Sequence, residues 1–394
     1  MVYKFEDTDS HDGLLQKISA SGNQLIELEF DVYASKKSEV YAYILFRNGN
    51  TLVAWDYVYF KANGSTQNNW YTKTLSATTS ANTDNVLIEF YCKTDSKHGD
   101  YLYIDNVSVN GNNDSDGDGV DDNFDDFPND PNLAYLNYYP NRSDFGSVVF
   151  EDLWPSQGDY DFNDLSIAYQ YAFYNNASNA TVEMEGTYHI RATGAEYNNG
   201  FGVALPVAPA DISSVSGYDH AGGLVTLNAN GSESGHSSEA VVIVYDKIND
   251  FMGGNFFNVE PGGYTTQADT TRVVIEFNQG QNLTYSAFDT FIFVNGDRGR
   301  EVHLKNYDPT ALADMSLFGT VDDASNLGSG VSYQNANGLP WAIDIPVEFE
   351  HMIEKNEILN GYLHFGAWAQ SNGTVYNDWY INQSAGYRNN SLIY

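Results

Sequence analysis

The sequence predicts an all-β protein: an N-terminal β-sandwich over 1–111, an Asp-rich linker over 112–134 and a larger β-rich sandwich domain over 135–394 with one short helix. Three observations carry this. Apolar residues recur with period two in run after run. The segments between are dense in Gly, Asn and Ser, which supply the turns that short strands need. The chain holds 30 Tyr, 22 Phe and 6 Trp, residues that suit pleated surfaces and cores. A net charge of -35 with low hydropathy would otherwise read as disorder, so the aromatic content decides for a folded chain. A length of 394 residues is enough for two or three domains.

In "NQLIELEFDVY" Ile26, Leu28, Phe30 and Val32 share one face and Glu27, Glu29 and Asp31 the other, the pattern of a half-buried strand. "EVYAYILF", "TLVAWDYVYF", "NVLIEFYC" and "YLYIDNVSV" repeat it at the spacing of a sandwich. Cys92, the single cysteine, falls in such a run and reads as a buried strand thiol, so no intrachain disulfide staples the loops. After the linker, "SVVFEDL", "LSIAYQYAF", "TVEMEGTYHI", "AVVIVYD", "RVVIEF" and "DTFIFVNG" continue the strand pattern. The segment 348–359, "EFEHMIEKNEIL", is the expected helix, with Phe349, Met352, Ile353 and Leu359 as its buried stripe.

The linker has seven aspartates between Asp114 and Asp126. Counted from Asp114 they fall as D-x-D-x-D-G-x-x-D-x-x-D, placing Asp114, Asp116, Asp118, Asp122 and Asp125 at loop positions 1, 3, 5, 9 and 12. The carbonyl of Val120 comes at position 7 and Gly119 at the sharp turn of position 6. A hard cation of about 6–8 oxygen ligands can be wrapped by one short loop with these offsets, so the expected cofactor is calcium. The competing reading, a solvated acidic linker, does not account for the glycine and five offsets together. The loop, with the following "FPNDP", resembles the calcium loop of thrombospondin type 3 repeats; the family's usual cysteine is absent, with Phe127 near its place.

"GDYDFNDL" adds a second acidic group. Alternation puts Asp159, Asp161 and Asn163 on one side of an extended segment, with Asp164 beside them and Tyr160 and Phe162 opposite; Glu151 or Asp152 of "FEDLWPSQ" returns across a turn. An oxygen-only set without His or Cys favours calcium over zinc. A polar loop face and a catalytic carboxylate pair are the alternatives. "FEDLWPSQGDYDFNDLSIAY", with "GLPWAIDIPVEFEHMIEKNEILNGYLHFGAWAQSNGTVYNDWY" at 338–380, resembles the LruC-type domain of secreted and outer-surface bacterial proteins. That resemblance spans 135–394 and implies a β-rich fold and an external location.

Residues 1–110 resemble the jelly-roll carbohydrate-binding modules, with "YLYIDNVSV" as the last strand. The resemblance implies a third calcium site at Asp105 with Glu6 or Asp7, and aromatic platforms for sugar stacking. Trp55, Tyr57, Tyr59 and Trp70 are the candidates, against an alternative in which they are core or ordinary sheet surface.

With 53 acidic and 18 basic residues the chain repels nucleic acid and anionic membranes. No stretch is long and apolar enough to span a bilayer, and "MVYKFEDTDS" is not a signal peptide. The expectation is a mature chain located outside the cell or on a bacterial outer surface. No H-E-x-x-H, G-x-S-x-G or phosphate loop is present, so no enzyme is expected. His364, Trp368, Trp379 and Tyr380 read as an aromatic core rather than a pocket. The function expected is calcium-stabilised adhesion or recognition, with carbohydrate or a matrix component as partner. The alternatives are a self-associating matrix or filament subunit that pairs through strand edges, and a polysaccharide-acting enzyme.

Overall fold

The structure is a computed structural model that describes residues 3–6, 12–20, 24–35, 38–80, 82–93, 101–112, 114–221, 223–267 and 270–394. The chain divides into two compact units, residues 1–134 and 135–394.

Unit 1 is built from β1 (Tyr3–Glu6), β2 (Asp12–Ser19), β3 (Leu25–Ala34), β4 (Glu39–Asn48), β5 (Thr51–Lys61), β6 (Trp70–Thr78), β7 (Asn85–Lys93) and β8 (Tyr101–Asn112). They form two antiparallel sheets, ordered β1-β8-β3-β6 and β2-β7-β4-β5. The alternation in the sequence becomes the sandwich: Ile26, Leu28, Phe30 and Val32 from one sheet meet Val40, Ala42, Ile44 and Phe90 from the other. Phe30 and Phe90 stand edge to face at 4.9 Å across the gap, the geometry that the ring quadrupole prefers. Cys92 is buried in the same core, as its strand position predicts. β4 and β5 join through a two-residue turn in which Gly49 takes φ +59°, a left-handed conformation that costs glycine little.

Unit 2 contains β9 (Tyr135–Tyr139), β10 (Gly146–Phe150), β11 (Leu165–Asn175), β12 (Thr181–Ala192), β13 (Gly200–Leu205), β14 (Ile212–Ser216), β15 (Ala240–Tyr245), β16 (Thr271–Gln281), β17 (Asp289–Phe293), β18 (Glu301–His303) and β19 (Ala342–Ile345). Its larger sheet runs β14-β16-β12-β11-β10-β19, with β9 also paired to β11; the smaller runs β15-β13-β17-β18. The main core lies between them. β10 is buried on both faces: Val148 and Phe150 enter this core, while Val149 joins Ile343 and Ile345 in a second core with Phe349, Met352, Tyr362, Phe365 and Trp379. The C-terminal segment thus caps the outer face of the sheet. Trp379 is fully buried there, with Trp368 and Tyr380 packed against it, while Trp368 is only half-buried and also lines a cleft.

The expected helix at 348–359 does not form. The helices of unit 2 are α1 (Ile248–Met252), α2 (Ile358–Gly361) and α3 (Phe365–Gln370), and 348–357 is irregular. Phe349 and Met352 are buried all the same. Lys355 takes φ +62°, which breaks a right-handed helix, and its N–H is taken by the Asp161 carboxylate instead of a helical carbonyl. A tertiary hydrogen bond has overridden local periodicity.

Candidate functional site

In the loop 114–125 every acid pins backbone. Asp114 accepts the N–H groups of Gly117 at 2.7 Å and Gly119 at 3.0 Å, and both glycines are left-handed (φ +84° and +98°). Asp116 accepts from Asp118 N, Asp118 from Val120 N, and Asp125 from Phe127 N. Asp122 binds the N–H and hydroxyl of Ser115 at 2.8 and 2.7 Å, a contact that sequence spacing did not show. These bonds use one oxygen of each of Asp116, Asp118 and Asp125; the second, Oδ2, is buried in all three and has no hydrogen-bond partner.

Carboxylate oxygens of Asp114, Asp116 and Asp118 lie within 4.8 Å of one another. Asp125 is 9% exposed; burial, and then the charges of Asp118, Asp116 and Asp122, hold its carboxyl above the usual range against the Phe127 N–H that lowers it. Val120 is buried beside them. Partnerless buried carboxylate oxygens are costly, and a hard cation on this oxygen-only set relieves both the desolvation and the mutual repulsion.

The second group sits where 158–164 meets the second core. Gly158, Tyr160 and Phe162 have φ of +74°, +62° and +55°, so the segment is a left-handed loop and not the extended strand expected from alternation. Tyr160 and Phe162 still turn into the core. The Glu151 carboxylate holds this conformation by accepting the N–H groups of Tyr160 at 3.1 Å and Phe162 at 2.5 Å. Asp161 accepts from Asn163 N at 3.1 Å and from Lys355 N at 2.7 Å.

Oxygens of Glu151, Asp159 and Asp161 converge within 4.8 Å. Of the two acids at 151 and 152, Glu151 therefore meets the loop, whereas Asp152 bonds Asn199 at 2.7 Å and its carbonyl takes Arg300. Asp164 accepts the Asp152 N–H at 2.7 Å, and Asn163 sends its amide nitrogen to Met352 O at 3.1 Å, leaving a buried, partnerless Oδ1. Burial, reinforced by Asp164 and Asp161, pushes Glu151 well up; burial and then Asp152 do the same for Asp164; burial and then Asp159 lift Asp161 to about 8. Three buried carboxyls crowd one exposed acid, a set that requires protons or a cation.

The backbone register separates Asp105 from Glu6 along the strand pair. β1 pairs with β8 so that Glu6 lies opposite Tyr101, four positions from Asp105, or about 13 Å at strand rise. Asp105 faces Asp31 on β3, and Asp7 lies outside the described residues.

On the outer face of the β2-β7-β4-β5 sheet, Trp55, Tyr57 and Tyr59 of β5 are 55%, 44% and 38% exposed. They adjoin three rings that the sequence reading passed over, Tyr41 and Tyr43 of β4 and Tyr91 of β7. Ring centroids are 4.5 Å apart for Tyr41–Tyr59, 5.5 Å for Tyr43–Tyr57, 5.7 Å for Trp55–Tyr57 and 6.0 Å for Tyr41–Tyr91. The signal lay in "EVYAYILF", where the tyrosines alternate with the buried Val40, Ala42 and Ile44. Trp70 is not part of this row. It opens β6 in the other sheet and contacts Tyr33 at 5.5 Å and Tyr103 at 6.4 Å.

These sites stand on an all-β framework of antiparallel sheets. Residues 179–380 match the family model described as a domain of unknown function, DUF4842, and the chain belongs to that family. Among solved structures it is similar to a Bacteroides ovatus protein provisionally described as a lipoprotein, at TM-score 0.48 and 16% identity, over 96% of this chain and 93% of that one. It is also similar to a structure described by the words "CBM4 structure and function", at TM-score 0.20 and 20% identity, over 25% of this chain and 60% of that one. No curated protein matches. Among the described residues no helix is long and apolar enough to cross a membrane.

Proposed function

We propose that the protein is a secreted or surface-attached, calcium-stabilised recognition protein whose N-terminal sandwich binds a polysaccharide on its aromatic face. The observation that carries this is the continuous patch of Trp55, Tyr57, Tyr59, Tyr41, Tyr43 and Tyr91 in mutual contact over three strands. Rings fixed side by side on a rigid sheet offer flat apolar faces to the axial C–H groups of successive sugars at little entropic cost. Glu89 stands beside Tyr43 on the same face, while Glu39 is paired with Lys61; the acid disfavours a polyanion and favours a neutral glycan.

Calcium is the structural partner in this reading. The 114–125 loop supports it through three buried carboxylate oxygens that lack a partner, together with the likeness of its spacing to thrombospondin type 3 loops. The group at Glu151, Asp159 and Asp161 supports a second ion, and its sequence resembles the LruC-type signature. Location outside the cell is supported, in this reading, by the same resemblance and by a loop chemistry that needs abundant calcium. The test is retention of the full chain on a panel of insoluble neutral polysaccharides, with Trp55→Ala beside the parent. Binding that Trp55→Ala abolishes supports the reading; a parent that binds no member of a broad glycan panel overturns it.

A further inference from the structure

Unit 2 carries a cleft of about 280 Å³ that shares no lining residue with either carboxylate group. It is bounded by the chain after β18, the segment around β19 and the end of α3, and its lining includes the polar residues Lys305, Asn306, Asp344, Trp368 and Asn372. Three features point to a ligand. The Lys305 ammonium donates to the carbonyls of Gly338 at 2.8 Å and Ala369 at 2.9 Å, which leaves its third N–H without an acceptor among the described residues. Among the described residues no carboxylate pairs with it, in a chain of net charge -35, and burial holds its pKa down. Trp368 is half-buried, backed by Trp379 at 5.4 Å, and its indole N–H has no partner among the described residues.

Asp344 supplies the complementary group. Its carboxylate is held by the hydroxyls of Tyr169 at 2.5 Å and Tyr285 at 2.7 Å, one to each oxygen, and by the Ile345 backbone N–H, so one lone-pair position remains for a further donor. A site that joins one unpaired ammonium, a hydroxyl-accepting carboxylate and a fixed indole is built for a ring that is anionic at one end and hydroxylated at the other. We propose that this cleft binds a carboxylate-bearing sugar, a uronic acid residue, with its carboxylate on Lys305, its hydroxyls on Asp344 and an apolar ring face against Trp368. A phosphate is disfavoured, because a lone ammonium balances one charge and the chain's net charge repels a dianion. The volume lies just under the roughly 300–1,000 Å³ of ordinary small-molecule sites, which fits a single ring better than a chain. This inference is independent of the aromatic face in unit 1.

Calorimetric titration of the full chain with galacturonate and glucuronate, beside galactose and glucose, tests it. Saturable uronate binding, with the neutral sugars weaker by about tenfold or more, is the expected result, as loss of a charge-assisted hydrogen bond implies. Lys305→Met should lose a similar factor and Lys305→Arg should retain most of the affinity; Trp368→Ala should weaken all the sugars together. Uronate affinity should fall as salt is raised. Equal binding of uronates and neutral hexoses, unchanged affinity in Lys305→Met, or no saturation by either uronate overturns the proposal. So does tighter binding of an acetylated dipeptide carboxylate than of any uronate. Should Lys305→Met fail to fold, salt dependence decides: affinity indifferent to salt refutes the ion pair.

Discussion

The Asp161 carboxylate accepts the backbone N–H of Lys355 at 2.7 Å, from a residue 194 positions along the chain. Through this bond the acidic loop 158–164 grips the C-terminal segment, and the Ile358 N–H to Tyr160 carbonyl bond repeats the grip at 2.9 Å.

Asp161→Ala should therefore loosen the cap as well as the loop. In the parent, calcium at a hundredfold excess over its Kd should add about 2.7 kcal/mol of stability per site. In Asp161→Ala the share of the second site should vanish, and amide exchange at Lys355 should accelerate. Identical melting of variant and parent, in calcium and in chelator alike, would show that this group holds no calcium.

Asp125→Ala addresses the other group separately. Native mass spectrometry in calcium should count one ion fewer than in the parent, because the variant loses a buried oxygen from the 114–125 set. Limited proteolysis within 113–126 should become calcium-independent. An unchanged ion count refutes the loop as a calcium site.

On the aromatic face, Trp55→Ala or Tyr57→Ala should weaken polysaccharide binding by roughly tenfold, the order of one ring contact. Trp70→Ala should leave it unchanged, since Trp70 belongs to the opposite sheet. Equal losses from Trp55→Ala and Trp70→Ala would place the binding surface elsewhere.

A buried ionic network in unit 2 sets a pH dependence. His303 lies between Asp289 and Glu301 at 2.5 and 2.8 Å; burial opposes its charge, but the two carboxylates outweigh burial and hold its pKa up at about 9. A raised histidine pKa contributes stability that is complete below the unfolded value of about 6.5 and is lost as pH rises through about 9. Chemical denaturation in chelator should show stability falling across that window, with His303→Gln flattening the fall at a lower overall level. A parent that shows no decline between those values would refute the assignment.

The N-terminal strands were legible because one face is buried, which ties the alternation to a single register. The 114–125 loop was legible because one contiguous segment supplies all its acids. The group at 151–164 was half legible: its acids are local, but the choice of Glu151 over Asp152 depends on the left-handed turns at Tyr160 and Phe162, which aromatic residues rarely adopt. The sheet to which Trp70 belongs is fixed by pairing with β3, a long-range fact. The Lys305 cleft draws on three separate segments, 304–306, 340–344 and 368–373, none with a local pattern of its own.

Five residues of β10 form the wall between two hydrophobic interiors, with Val148 and Phe150 on one side and Val149 on the other. Neither interior survives loss of that strand, so neither can melt alone. Unit 2 should absorb heat in one cooperative transition, in which truncating Val149 lowers the same midpoint as truncating Phe150, although the two side chains never meet.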